Sequence, residues 1–278
     1  AAKIFELSET GMLAAVEGAA THLPFSLYLP VAQGATVRNA YVGEAAMRGI
    51  ASALAVQAGM TTPEGGADDY QELALGGGDE RFKAPPGEWL IKQGYLKPFA
   101  AVRHVHYGAQ AALDWRQANP DTQISGIKTL KLSVYEEAMT YCGNRQPKTA
   151  IQAQFSLSYG LASALAQGDL GPEAYTAAAM TAPTTLRLEE MLEITPDKAA
   201  TDAGLRRATL TVETATDASV HSVHSVAGDQ DQLLTDVEVS AKFKRYAGPV
   251  IGSKRATSMA EQLLTGSLNA VLADQLAA

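Results

Sequence analysis

At 278 residues, with a net charge of -8 and a pI near 5.2, the chain is long enough for one large or two ordinary domains, each with its own core. The acidic balance argues against nucleic acid or an anionic membrane as partner, since both call for a basic footprint. The single cysteine, Cys142, cannot form an internal disulfide, and no Cys/His spacing suits a metal, so a metal-free, cytosolic protein is expected. The opening AAKIFELSETGML lacks a basic start followed by a long apolar core, which predicts neither a secretory signal nor a membrane anchor. No uncharged apolar run approaches the roughly eighteen residues of a spanning helix.

Ser8 to His22 has helical spacing, with Leu7, Met12, Ala15, Val16 and Ala19 able to share a face until Pro24 and Pro30 break the pattern. Val37 to Gly59 is the clearest helix of the first third. Its Tyr41, Ala45, Met47, Ile50, Ala53, Leu54 and Ala58 recur at three and four, and Gly59 supplies the stop. Arg38 stands just ahead of that helix, where unpaired N–H groups and the helix dipole favour an anion. An ordinary surface arginine fits the same position. The stretch from 51 to 78 ends in a loop-rich zone with Pro63, Gly65, Gly66 and the triplet Gly76 to Gly78. These glycines follow no strand and match neither phosphate-binding fingerprint, so they read as a flexible connection. Pro85 and Pro86 reinforce a boundary near residues 83 to 93.

Next comes Gly94 to Trp115, GYLKPFAAVRHVHYGAQAALDW. Between Lys97 and His106 it gathers one lysine, one arginine and two histidines, although only 19% of the chain is charged. A lysine can carry a proton once burial lowers its pKa, an arginine can clamp a carboxylate with two hydrogen bonds, and a histidine transfers protons near neutral pH. Together these are the parts needed to hold a small carboxylic acid. The competing reading is a solvated Lys97 and Arg103, with His104 and His106 on alternate faces of a strand end.

Gly108 to Gln117 reads as a helix, and Asn119-Pro120-Asp121 turns the chain. Ile127 to Tyr135 follows as a strand whose alternation falters near Thr129. Ile151 to Ala166 is a second helical stretch, rich in small residues, containing Tyr159 and closed by Gln167-Gly168-Asp169. Pro183 to Glu193 reads as a short acidic helix started by proline. Arg207 to Glu213 alternates as a half-buried strand, and Val220 to Val226 returns as its partner after a turn at Asp217 and Ser219. His221 and His224 would then fall on opposite faces, which makes them poor metal ligands. Thr235 and Glu238 have capping-box spacing, so helices are expected to about Arg245 and again from Thr257 to Leu276, with Met259, Leu263, Leu264, Leu268, Val271 and Leu272 at helical spacing.

The run KPFAAVRHVHYGAQAAL resembles the motif of the MmgE/PrpD family, in which a lysine opens a segment ending in Arg-x-x-His before a helix. Three further stretches fit the family in the same order: TVRNAYVGEAAMRGIASALAVQAGMTTP upstream, then QFSLSYGLASALAQGDL from Gln154 and GDQDQLLTDVEVSAKFKRYAG from Gly228. The resemblance implies a mainly α protein with an α+β domain. A partial helical domain would span 1–92 and a smaller α+β domain 93–234, with C-terminal helices 235–278 returning to the first. In the family the active site lies in the cleft between the two domains.

By the same resemblance, the expected activity is that of a lyase or isomerase acting next to a carboxylate in a small di- or tricarboxylate, without metal or organic cofactor. Lys97 would be the acid/base or electrostatic stabiliser, Tyr159 a proton donor, and His106 would orient or transfer a proton. Arg38, Arg103 and His104 would bind substrate. Family members pair as homodimers, and their chains are longer. This one would begin partway through the helical domain, short of an acidic residue and a histidine of the family's site. Tyr41 also stands where many relatives have histidine. A complementing chain, or a noncatalytic carboxylate-binding or structural subunit, is the alternative reading.

Overall fold

Small residues decide how the first helices approach one another. The computed structural model describes residues 1–23, 26–76, 87 and 90–266, and the chain divides into two units, Ala1–Glu88 and Trp89–Ala278. The Pro24 break, the glycines 77–78, the Pro85-Pro86 boundary and the apolar positions beyond 266 lie outside the described residues. In the first unit α1 (Glu9–Ala20) is capped by the Ser8 hydroxyl, which accepts from the Gly11 N–H at 3.2 Å. A short α2 (Leu29–Ala32) and a 3-10 turn at Thr36–Ala40 lead into α3 (Tyr41–Gln57). The close approach of α1 to α3 is sealed by the buried Ser52 hydroxyl, which donates to the Ala15 carbonyl at 2.8 Å. Met12, Leu13 and Val16 on α1 stay exposed, so the buried side of this helix is the alanine side, not the wider apolar face expected.

A helix also replaces the loop expected after Pro63. α4 (Gly66–Leu75) begins behind Gly65, whose φ of 77° only glycine adopts freely, and ends on Gly76 at φ 66°. Its first turn is held by α1: the Ala67 N–H donates to the Glu17 carboxylate at 2.8 Å. The flanking glycines punctuate α4 at both ends instead of dissolving it.

The second unit is built on α5 (Arg103–Ala118), which starts five residues earlier than the spacing from Gly108 suggested. β1 (Ile127–Val134), α6 (Glu136–Cys142), α7 (Ala150–Gln154) and α8 (Leu157–Gln167) follow. The expected helix over 151–166 is broken at Phe155 because Ser156 caps a new one, its hydroxyl accepting from the Tyr159 N–H at 3.1 Å. Then come α9 (Ala177–Met180), α10 (Pro183–Met191), β2 (Leu192–Pro196), α11 (Lys198–Asp202), β3 (Ala208–Thr214) and β4 (Ala218–Val223).

The strands form one mixed sheet in the order β2-β1-β3-β4, with β1 parallel to β2 and antiparallel to β3. A register shift between Ile127 and Thr129 accounts for the faltering alternation there. One apolar core, including Val105, Trp115, Leu132, Leu161 and Leu210, joins α5, α8 and the sheet. Gly160 lets α5 and α8 touch, because a Cβ there would collide with the Val105 side chain.

The capping box at Thr235 and Glu238 is formed and opens α12 (Asp236–Ile251). This helix runs past Arg245 and through Pro249. That proline lies in the last turn, so its missing N–H removes a single helical hydrogen bond near the end. α13 (Ser253–Thr265) closes the described chain. With thirteen α-helices and one four-stranded sheet among the described residues, the protein is mainly α with a smaller α+β part.

Candidate active site

Three of the sequence stretches singled out above meet in the second unit around the segment 95–106. The Leu96 N–H donates to the Gly228 carbonyl at 2.9 Å, the Ala100 N–H to the Leu170 carbonyl at 2.9 Å, and the Val102 N–H to the Gln154 carbonyl at 3.0 Å. From α12 the Lys242 ammonium donates to the Lys97 carbonyl. The irregular stretch ahead of α5 is thereby held at four points, with three of its N–H groups and one carbonyl satisfied by partners distant in sequence.

Arg103, His104 and His106 all lie in the first turn of α5, not on a strand end. Arg103 is almost wholly buried, with its guanidinium 4.7 Å from the centre of the Tyr95 ring and 5.1 Å from that of Tyr107. One arm forms an ion pair with Asp229, and the other donates to His106 Nδ1 at 3.4 Å. The Arg103 charge is therefore already balanced by a carboxylate of the chain. Asp229 was not singled out from the sequence, although it stands in the quoted GDQDQ run. Only a pairing between residues 126 positions apart gives it away. The expected result for Asp229→Asn, which removes charge and keeps shape, is a loss of about 2 kcal/mol in urea unfolding, because a buried guanidinium loses its counter-ion.

His106 is fully buried, and its Nε2–H donates to the Ala101 carbonyl at 3.2 Å, leaving Nδ1 to accept from Arg103. Burial depresses its pKa to about 3, and the charges of Arg103 and Lys97 push the same way. The folded pKa lies below the unfolded value of about 6.5, so the folded state binds fewer protons in between, and stability falls as pH drops from 6.5 towards 3. Urea unfolding between pH 7.5 and 5 should show losses of up to ~1.4 kcal/mol per pH unit below 6.5. His106→Gln should flatten that slope, and an unchanged slope would show that His106 titrates alike in both states.

His104 is half-buried, its Nδ1 2.6 Å from the Tyr135 hydroxyl and its ring stacked on Tyr141 at 5.8 Å. Burial lowers its pKa, with Glu137 opposing and Arg206 and Lys97 adding to the shift. Lys97 itself is half-buried, and its charge bears on both histidines. Arg206, exposed just ahead of β3, acts electrostatically on Arg103, His104 and Tyr135 and was also missed in the sequence, where nothing distinguishes it from a surface arginine.

The remaining two of the six residues expected at the site are carried by other elements. Arg38 belongs to the first unit, exposed in the 3-10 turn Thr36–Ala40. Tyr159 is buried on α8, where its hydroxyl donates to the Ala174 carbonyl and its ring lies 6.0 Å from that of Tyr175. Its pKa is raised by burial, which keeps the phenol protonated. Among the described residues no cluster of His, Cys, Asp and Glu suited to a metal ion is present, and no helix is long and apolar enough to cross a membrane.

Residues 99–265 match a family model described as the MmgE/PrpD C-terminal domain. Compared with curated proteins, the chain matches none.

Proposed function

The chain belongs to the MmgE/PrpD family, a family of dehydratase- and lyase-type enzymes, and from that premise we propose that it performs proton chemistry next to a carboxylate of a small di- or tricarboxylate. The observation that carries this reading is Lys97 with its neighbours: a half-buried lysine whose charge, like that of Arg206, bears on His104, on a segment pinned at four points. Removing a proton next to a carboxylate builds negative charge on the carboxylate oxygens, and fixed cations that need no rearrangement stabilise that charge most.

In this reading Lys97 delivers or takes the proton and His104, neutral and partly accessible, binds a substrate oxygen. Arg103, paired with Asp229, and His106, bonded to Arg103, hold the segment in place. A direct clamp by Arg103 would require substrate to displace Asp229, and proton donation by Tyr159 would require it to leave the Ala174 carbonyl.

The test is solvent exchange. Small di- and tricarboxylates incubated with the protein in deuterium oxide should lose the proton next to the carboxylate in NMR spectra, with or without net dehydration, decarboxylation or epimerisation. No exchange across the panel, or exchange that Lys97→Met leaves untouched, would sink the reading.

A second reading, a subunit that works with another polypeptide, is favoured by exposed apolar side chains along α3: Val42 at 82%, Met47 at 71%, Ile50 and Leu54 at 45%. Association with a second copy or a complementing chain is expected. Sedimentation of a compact monomer that binds no anilinonaphthalene dye would count against it.

A further inference from the structure

Tyr135 is the single residue between β1 and α6. It belongs to the core of the second unit, is 3% exposed, and its ring meets that of Tyr107 nearly at a right angle with centres 6.3 Å apart. A hydroxyl carried by a ring packed in this way has little freedom to move. Its one hydrogen-bond partner among the described residues is His104 Nδ1, at 2.6 Å. The plane of that imidazole is set from another side by Tyr141, stacked 17° from parallel. At the far edge of the ring Nε2 has no hydrogen-bond partner among the described residues, yet it is not one of the sealed polar atoms that lack one, so it reaches solvent. His106 differs in this respect, because its own Nε2–H is spent on the Ala101 carbonyl.

Either atom of the 2.6 Å contact can carry the proton, and the surroundings place it on Tyr135. Burial keeps this phenol protonated, with Tyr107 and Glu137 acting in the same direction and Arg206 against it. Burial also keeps the imidazole neutral, helped by Arg206 and Lys97 and opposed by Glu137. If Nδ1 were the donor, the phenol proton would need a second acceptor in a side chain almost closed to water, and none is present among the described residues. A buried donor left unpaired is costly, and an imidazole lone pair accepts more readily than a phenol oxygen. We propose that Tyr135 is a positioning residue that holds His104 as its Nε2–H tautomer, so that the site offers a donor here and takes an acceptor oxygen of its ligand, carboxylate or carbonyl. In the opposite tautomer a bare Nε2 lone pair would face that oxygen and repel it. The hold on the tautomer stands on the geometry of the pair, whereas the ligand half rests on the reading of His104 as a substrate-binding group.

The test is proton–nitrogen correlation NMR of the histidine rings in the nitrogen-15-labelled full chain, at a pH of about 7.5, above the ordinary histidine pKa. His104 is assigned by the signals that His104→Gln removes. Wild type should show a protonated Nε2 and a bare Nδ1, with no one-bond coupling between Nδ1 and the proton it shares with Tyr135. Tyr135→Phe removes only the hydroxyl and should move both nitrogens to intermediate positions as the two tautomers interconvert, an effect that loss of packing alone would not give. One-bond coupling of the shared proton to Nδ1 in wild type overturns the proposal, and so do unchanged His104 nitrogens in folded Tyr135→Phe. The wild-type coupling decides the matter if Tyr135→Phe does not fold. For the ligand half, sodium succinate and sodium citrate are the probes, with sodium chloride at equal ionic strength as control. Each carboxylate should shift the His104 Nε2–H saturably, and His104→Phe should bind them at least about tenfold more weakly, the worth of a hydrogen bond to a charged oxygen. No shift with either probe overturns the ligand half. The tautomer is read without any turnover, so absence of deuterium exchange into carboxylates beside the expected tautomer would count against the proposed activity and not against Tyr135.

Discussion

Lys97→Met is expected to lower kcat on any proven carboxylate substrate by about a hundredfold or more, equivalent to roughly 2.7 kcal/mol of transition-state stabilisation. The methionine keeps most of the side-chain length and removes both the charge and the proton. The backbone ties of this segment, from Leu96 to Gly228, Ala100 to Leu170, Val102 to Gln154 and Lys242 to the Lys97 carbonyl, use no part of the Lys97 side chain. Those ties should survive the substitution, and the thermal unfolding midpoint separates a loss of turnover from a loss of fold. Lys97→Arg keeps a positive charge but replaces a compact ammonium with a guanidinium that does not give up its proton, so it should restore substrate binding better than turnover. Lys92→Met, on an exposed lysine in the 3-10 turn Leu90–Gln93, is the matched control and should be nearly silent. Equal losses at 92 and 97, or a Lys97 defect traced wholly to unfolding, would leave the family assignment standing and remove the role given to this lysine.

The second large effect is expected at Gly228, where one added methyl group should do more harm than most core truncations. Its φ is +90°, and a Cβ there would run into the backbone carbonyl of Leu96, the residue whose N–H donates to the Gly228 carbonyl. A side chain at this φ costs about 1–3 kcal/mol, and a clash with backbone, which cannot swing aside, adds a similar amount. Gly228→Ala should thus lose about 4 kcal/mol in urea unfolding. The damage should spread to the site, because Asp229 is the next residue and holds Arg103 through one carboxylate oxygen while the other accepts from the Val226 N–H at 3.0 Å. A variant with wild-type stability would mean that the 226–232 loop moves away from Leu96 freely. In that case the loop could not be what fixes the lysine segment.

Most of the helices, strands and caps were legible because each rests on neighbours in sequence. Thr235 and Glu238 cap α12 through residues three positions apart. The strand from Ile127 declared itself by alternation, and the bulge at its start accounted for the one lapse. Where the local reading failed, a distant partner had intervened. α4 begins with the Ala67 N–H on the Glu17 carboxylate, fifty residues back, so glycines that looked like a loop became the two ends of a helix. β2, short and half polar, exists because β1 offers it a parallel edge across five paired positions.

By itself the sequence determined the mainly helical composition, the family and the gathering of Lys97, Arg103, His104 and His106 within ten residues, because pattern and spacing are properties of neighbours along the chain. The tertiary structure alone decided what those groups are free to do. It paired Arg103 with Asp229, tied His106 between Arg103 and the Ala101 carbonyl, and sent the Tyr159 hydroxyl to Ala174. The physical reason is that charge, desolvation and hydrogen bonding depend on distance in space, and a sequence specifies those distances only through the fold.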